Sequence, residues 1–344
     1  MKVFISSCET GESFYGRELK RMAGLCTSLQ SLFVDRPEDA DLILVVDMDE
    51  ADVFANLRRN PVWRRYPKKS FGIYEGDNPP RFLHGVYTAV PRDRTYLGRF
   101  QSCGLWMHQV AFPLVCPAPD RAWETPKSLL FSFMGRISHP VRRRLLQTSF
   151  PKEDVVIVDT STYNHIQTGP KERSPWQDEY WPVAERSKYV LCPSGSGATC
   201  GTRLFDMMQA GIAPVIICDK WVPPLGPNWN EFALFVAERD IKYLYGIIKE
   251  RDSEWKMRGQ KARHAHENWF AAETYWKSLI DSIRKIQQQQ RVPESICTRS
   301  LPLLTLIERG RQARIRSMIW MKEMVRKILN IRNSKSLACL LNGK

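Results

Sequence analysis

The chain has 344 residues, enough for two domains of ordinary size, and its 43% hydrophobic content can fill their cores. No apolar run approaches the roughly 20 residues that span a bilayer, and the N-terminal MKVFISSCETGES has too short an apolar stretch for a secretory signal. The net charge of +14 is unevenly placed: residues 287–344 hold 12 Lys and Arg against 3 Glu, a net of +9, so the first 286 residues carry only +5. That excludes a strongly basic globular face, and no nucleic-acid partner is expected. Nine cysteines without close paired spacing indicate reduced thiols, hence a cytoplasmic chain. The six histidines do not fall at ligand spacing beside them, and no metal site is expected.

Residues 1–125 alternate strands and helices. Residues 2–6 (KVFIS) suit a strand, Phe14–Leu25 a helix and 32–34 a short strand. The continuous apolar run Leu42–Val46 suits a strand covered on both faces. Residues 71–74 (FGIY) form another strand and run into an acidic, Gly- and Pro-rich turn. Strands separated by helices pair in parallel, and ligands gather beyond the carboxyl ends of such strands. Glu75, Asp77 and His84 lie near that edge. Residues 113–128 contain four prolines and little periodicity, as a linker would. Strands are then expected over 129–134 and 155–158, with a helix begun by Val141, Leu145 and Leu146 between them. A helix through 179–187 precedes a strand at 189–192. Helices follow over 241–251 and 254–268 and on to about 290. The tail alternates apolar and basic residues at helical spacing, the pattern of a membrane-surface or partner-docking helix.

The stretch 188–219, KYVLCPSGSGATCGTRLFDMMQAGIAPVIICD, reads as strand, glycine turn, helix, loop and strand. A glycine turn entering a helix presents unpaired N–H groups and the positive end of the helix dipole, which suits a phosphate-bearing ligand. A plain α/β corner has the same spacing. A nicotinamide-binding fingerprint is a further alternative, with Asp219 as its ribose acid, but Gly201 comes one residue late for it. Gly135 and Arg136, at the end of the 129–134 strand, form a second anion-site candidate with Arg142, because arginine pairs well with diphosphate.

Taken together, these segments resemble the exostosin-like glycosyltransferases, family 47, in their soluble bacterial-type branch. The resemblance rests on Lys188, Leu191, Cys192, Pro193, Gly195, Gly197, Arg203, Leu204, Phe205, Asp206, Gly211, Pro214, Val215, Ile216, Ile217 and Asp219. It extends to 82–92, 131–146, 158–161, Trp221, Pro224, Gly226, Pro227 and Trp229. It implies an α/β fold of GT-B architecture, with two Rossmann-like domains about a central cleft, an acceptor domain over 1–125, a donor domain over 126–286 and a basic tail over 287–344. It also implies inverting, metal-independent transfer from a nucleoside-diphosphate sugar to a saccharide or lipid-linked glycan, with no tightly bound cofactor. Arg203 would meet the diphosphate, with the 195–201 turn contributing Gly195, Ser196, Gly197 and Thr199. Asp206 would meet the ribose, and Arg136 and Arg142 would assist. Asp77, then Glu75, then His84 are the candidate general bases. Residues 300–335 would meet an anionic membrane surface, on the inner face of the cell membrane. Two positions depart from the family pattern: Ser194 replaces an arginine, and Asp206 a glutamate. They leave a catalytically silent nucleotide-sugar-binding scaffold as the alternative.

Overall fold

In the computed structural model the described residues are 1–7, 14–26, 32–46, 56–57, 59–74, 83–88, 90, 92, 98–104, 119–162, 175–195, 199–289, 294, 296–300 and separate positions between 302 and 324. Two five-stranded parallel sheets dominate them. The first runs β1 (Val3–Ser7), β2 (Leu42–Val46), β3 (Ser70–Tyr74), β4 (Gly85–Tyr87) and β5 (Phe100–Ser102) in spatial order. Phe33 bridges to Val3 on the outer side of β1. The second comprises β6 (Leu129–Gly135), β7 (Val155–Asp159), β8 (Ser187–Pro193), β9 (Ala213–Ile217) and β10 (Leu234–Phe235), in the order β10-β9-β8-β6-β7. Two parallel α/β halves in one chain are the GT-B arrangement that the sequence led us to expect. All five residues of β2 and all seven of β6 are buried, which is why β2 reads as an unbroken apolar run and β6 as one interrupted only by Ser132 before its closing glycine.

The helices show how the halves are joined. α1 (Phe14–Leu25) packs on the first sheet; α2 (Pro61–Arg65) is capped by Asn60, whose side chain accepts from the Trp63 N–H at 2.9 Å. α3 (Pro119–Glu124) lies in the Pro-rich stretch read as a linker, and Trp123 Nε1 donates to Gly211 O in the second half at 2.8 Å. α4 (Pro140–Gln147), α5 (Pro175–Arg186), α6 (Thr202–Gln209), α7 (Leu244–Lys249) and α8 (Trp255–Trp269) belong to the second half. α9 (Ala272–Gln289) does not. Its buried stripe of Tyr275, Trp276, Leu279, Ile280, Ile283 and Ile286 joins the core of Val3, Leu19, Leu44 and Phe71. The chain therefore crosses back, and a boundary at 286 cuts through a helix of the first half. The halves also meet where the Arg92 N–H donates to Lys220 O (2.7 Å) and the Val222 N–H to Val90 O (3.2 Å).

Beyond α9, Glu294 is buried in the first half, and its Oε2 accepts from Arg99 Nη2 at 2.6 Å. His84 Nδ1 lies 3.5 Å from the same oxygen, and its ring stacks on Phe71 with centroids 4.2 Å apart. His84 is 0% exposed. A general base must reach the hydroxyl it deprotonates, so the structure removes His84 from the catalytic candidates. It also ties residues assigned to the tail into the core, where Cys297 and Thr305 are buried too.

Removing one member of a buried pair leaves the other charge uncompensated. Glu294→Ala should lower stability by about 3–5 kcal/mol. The double replacement Arg99→Met with Glu294→Leu should lose much less. Urea denaturation with both proteins checks this, and equal losses would contradict it.

Candidate active site

The second sheet reverses its direction of growth at β6, because β7 is added on one side of it and β8 on the other. Ligands of open parallel sheets bind beyond the carboxyl ends of strands at such a switch point. Here those ends are Gly135 of β6 and Pro193 of β8. Two arginines converge on this edge from different helices. Arg142 sits in the first turn of α4, whose start is set by Pro140 and by His139 Nδ1 accepting from the Val141 N–H. Arg203 sits in the first turn of α6, after Gly201 at φ +66. Their Cζ atoms lie 5.8 and 4.7 Å from the Phe133 ring centroid.

The two guanidiniums are used differently. Arg142 donates from Nε to Ser194 O (3.0 Å), from Nη1 to Arg136 O (3.3 Å) and from Nη2 to Pro193 O (3.5 Å). It thus ties the loop after β6 to the loop after β8. Burial, and then the charge of Arg203, pushes its pKa down to about 9, which leaves it charged at neutral pH. Arg203 spends only Nη2, donating to Met134 O. Its Nε and Nη1 are buried and make no hydrogen bond among the described residues. Neither arginine has a carboxylate within ion-pair distance among the described residues. Buried donors are normally satisfied and buried charges normally paired. Two cations at a strand end, one of them with donors unused, fit an anion.

Glycines make room for them. A Cβ on Gly135 would lie 2.8 Å from both Arg203 Nη2 and the Phe133 ring, and one on Gly195 would lie 2.9 Å from Arg142 Nη2. Gly201 offers no side chain to cap α6, so the first N–H groups of that helix are left for another acceptor. The Gly195 N–H closes the turn onto Thr199 O at 2.7 Å, with Thr199 7% exposed. Ser196 and Gly197 lie outside the described residues.

The acids are arranged around this pair. Asp206 is 5% exposed. Burial pushes the Tyr180 pKa up to about 12 and that of Cys192 likewise; in both, Arg203 pulls down and Asp206 pushes up. Asp206, Arg203, Tyr180 and Cys192 therefore share one buried region. Asp219 closes β9, but its Oδ1 accepts from the Glu238 N–H (3.0 Å) while its own N–H donates to Glu238 Oε1 (3.3 Å). Ser194 is fully buried, and its hydroxyl donates to the same Glu238 oxygen at 3.1 Å. The far Glu238 oxygen meets Arg144 at 3.4 Å.

The structure thus brings Arg142, Arg203, Gly195 and Thr199 to one sheet edge and holds the Arg136 carbonyl against Arg142. Glu75 and Asp77 follow the end of β3 at Tyr74 and lie outside the described residues. Sequence reasoning missed Phe133, Tyr180 and Glu238. Only Glu238 carried a signal, since it follows the last strand of the same parallel sheet.

Residues 99–250, which contain the switch point and both arginines, match the family described as the Exostosin GT47 domain. An exostosin-1 homologue of Caenorhabditis elegans is 29% identical over 46% of this chain and 44% of its own length. A probable glycosyltransferase of Arabidopsis thaliana is 28% identical over 36% of this chain and 21% of its own. A probable β-1,4-xylosyltransferase of the same plant is 34% identical over 24% and 20%. The chain spans less than half the length of these curated relatives. A solved glycosyltransferase from Rickettsia africae superposes with a TM-score of 0.43 at 9% identity, over 83% of this chain and 98% of the other. Residues 99–250 are thus similar to the Exostosin GT47 domain, and it is this stretch that holds the switch point and both arginines.

Proposed function

We propose that this protein transfers a sugar from a nucleoside-diphosphate donor to a saccharide acceptor, as a step in glycan or surface polysaccharide synthesis. The observation that carries the reading is the pair of half-buried guanidiniums at the β6–β8 switch point, one of them with two buried donors unused among the described residues. As the glycosidic bond to the donor breaks, the anomeric carbon becomes oxocarbenium-like and charge gathers on the leaving diphosphate. Arg203 meets that charge directly. Arg142 supplies a second positive charge held by three carbonyls, and the uncapped first turn of α6 adds backbone N–H groups. Such fixed cations can carry the leaving group without a metal ion. Asp206 is the candidate for the ribose hydroxyls.

Attack by the acceptor on the opposite face gives inversion and needs a base on its hydroxyl. Asp77 is the first candidate and Glu75 the second, both following β3 of the other half. A lipid-linked glycan meets the same requirement as a free saccharide. Ser194 is accommodated by this reading: its hydroxyl is turned into Glu238, and Arg142, bonded to the Ser194 carbonyl, places a positive charge at that loop.

Three variants test the assignment. Arg203→Ala should weaken binding of a nucleoside diphosphate by roughly ten- to a hundredfold. The unliganded protein should melt no lower than the parent, because an unpaired buried cation is lost. Normal affinity by calorimetry would remove Arg203 from the site. Gly135→Ala should weaken the same binding by displacing Arg203, and unchanged affinity would show that the crowding is tolerated. Asp77→Asn should lower turnover by about 10²–10⁴-fold with donor affinity nearly intact. Full turnover would transfer the role to Glu75. Binding without donor hydrolysis or transfer by the parent protein would support the silent scaffold instead.

A further inference from the structure

We propose that the C-terminal helical segment lies on an anionic phospholipid surface through the face turned away from the protein, independently of the transferase reading. The described residues between 302 and 324 are helical. Thr305 is 7% exposed, whereas Leu303, Leu306 and Ile307 around it are 59%, 69% and 57% exposed. Met318, Met321 and Met324 are also exposed. At helical spacing these six apolar residues share an arc of roughly 120°, with Trp320 at its border and Thr305 on the opposite side. Thr305, with Glu294 and Cys297 before it, seats the start of the segment, and the described residues from 306 to 324, the apolar arc among them, are exposed.

Charge selects the occupant. Residues 302–327 carry 7 Lys and Arg against 2 Glu. A second copy would bring the same positive charge to the same face, which opposes pairing of two such helices. An anionic bilayer offers both complements, apolar depth for the arc and negative headgroups for the arginines. Arg314, exposed within the arc, has a stem long enough to place its charge at headgroup level. The tryptophan at the border suits the same interface. Charges recur too often along the segment for it to span a bilayer, so the helix lies in the surface plane.

The test uses the full chain, with vesicles of phosphatidylcholine alone or mixed with phosphatidylglycerol, read by flotation. Binding to the mixed vesicles should exceed binding to phosphatidylcholine and fall with added salt. The double substitution Leu306→Glu with Met321→Glu should weaken it about tenfold or more. Arg314→Glu should weaken it on mixed vesicles only. If the glutamate variant fails to fold, Leu306→Gln with Met321→Gln gives the same reading. Wild-type binding by these variants, or no binding at low salt, would overturn the proposal. Self-association by light scattering that the same substitutions abolish, without vesicle binding, would assign the face to a second copy.

Discussion

Two like charges held half-buried at one strand end are the constraint around which the second half is built. Guanidiniums cannot shed their protons at neutral pH, so the fold must hold them with neutral groups. It does so with carbonyls from the ends of β6 and β8, three on Arg142 and one on Arg203, and with the face of Phe133 near both. Gly135 and Gly195 are small for the same reason. Carbonyl dipoles satisfy donors without cancelling charge, and this sheet edge therefore stays electropositive. A carboxylate against either arginine would cancel that charge.

Glu238 illustrates how closely negative charge is controlled nearby. Its carboxylate sits at the same sheet edge, but it is held by the Ser194 hydroxyl, the Asp219 N–H and Arg144. Its negative charge is therefore directed to groups other than Arg142 and Arg203. Asp219 is held in return through the Glu238 N–H, so this acid serves the loop that follows β10. The difference between Arg142 and Arg203 has the same logic. One has its donors occupied and braces two loops; the other has two donors unused among the described residues.

The legible parts of the fold were those whose cause is local. β2 and β6 announce themselves because both faces are covered, and the helix of α6 because its apolar residues recur at helical spacing. β4 and β5 have three residues each and gave no periodic signal. α9 was legible as an amphipathic helix, but amphipathicity does not say which sheet the apolar stripe will cover. His84 was misread for a related reason: its partner Glu294 is far away in sequence, so nothing local marks it as a core residue. At the site, the glycine turn and Arg203 could be read because strand, turn and helix adjoin in the chain. The pairing of Arg142 with Arg203 depends on β6 and β8 being neighbours, which is a property of the sheet order.

The return of α9 to the first sheet has a consequence for how the protein is made. Chains ordinarily fold domain by domain as they leave the ribosome, N-terminal part first. Here the first sheet lacks the covering of Trp276, Ile280 and Ile283, and Arg99 lacks Glu294, until the entire second half has been synthesised. At ~5–20 residues per second that interval is on the order of 10–30 s. During it one face of the first sheet and Arg99 lack the contacts that bury them in the folded chain. The second half faces no such wait.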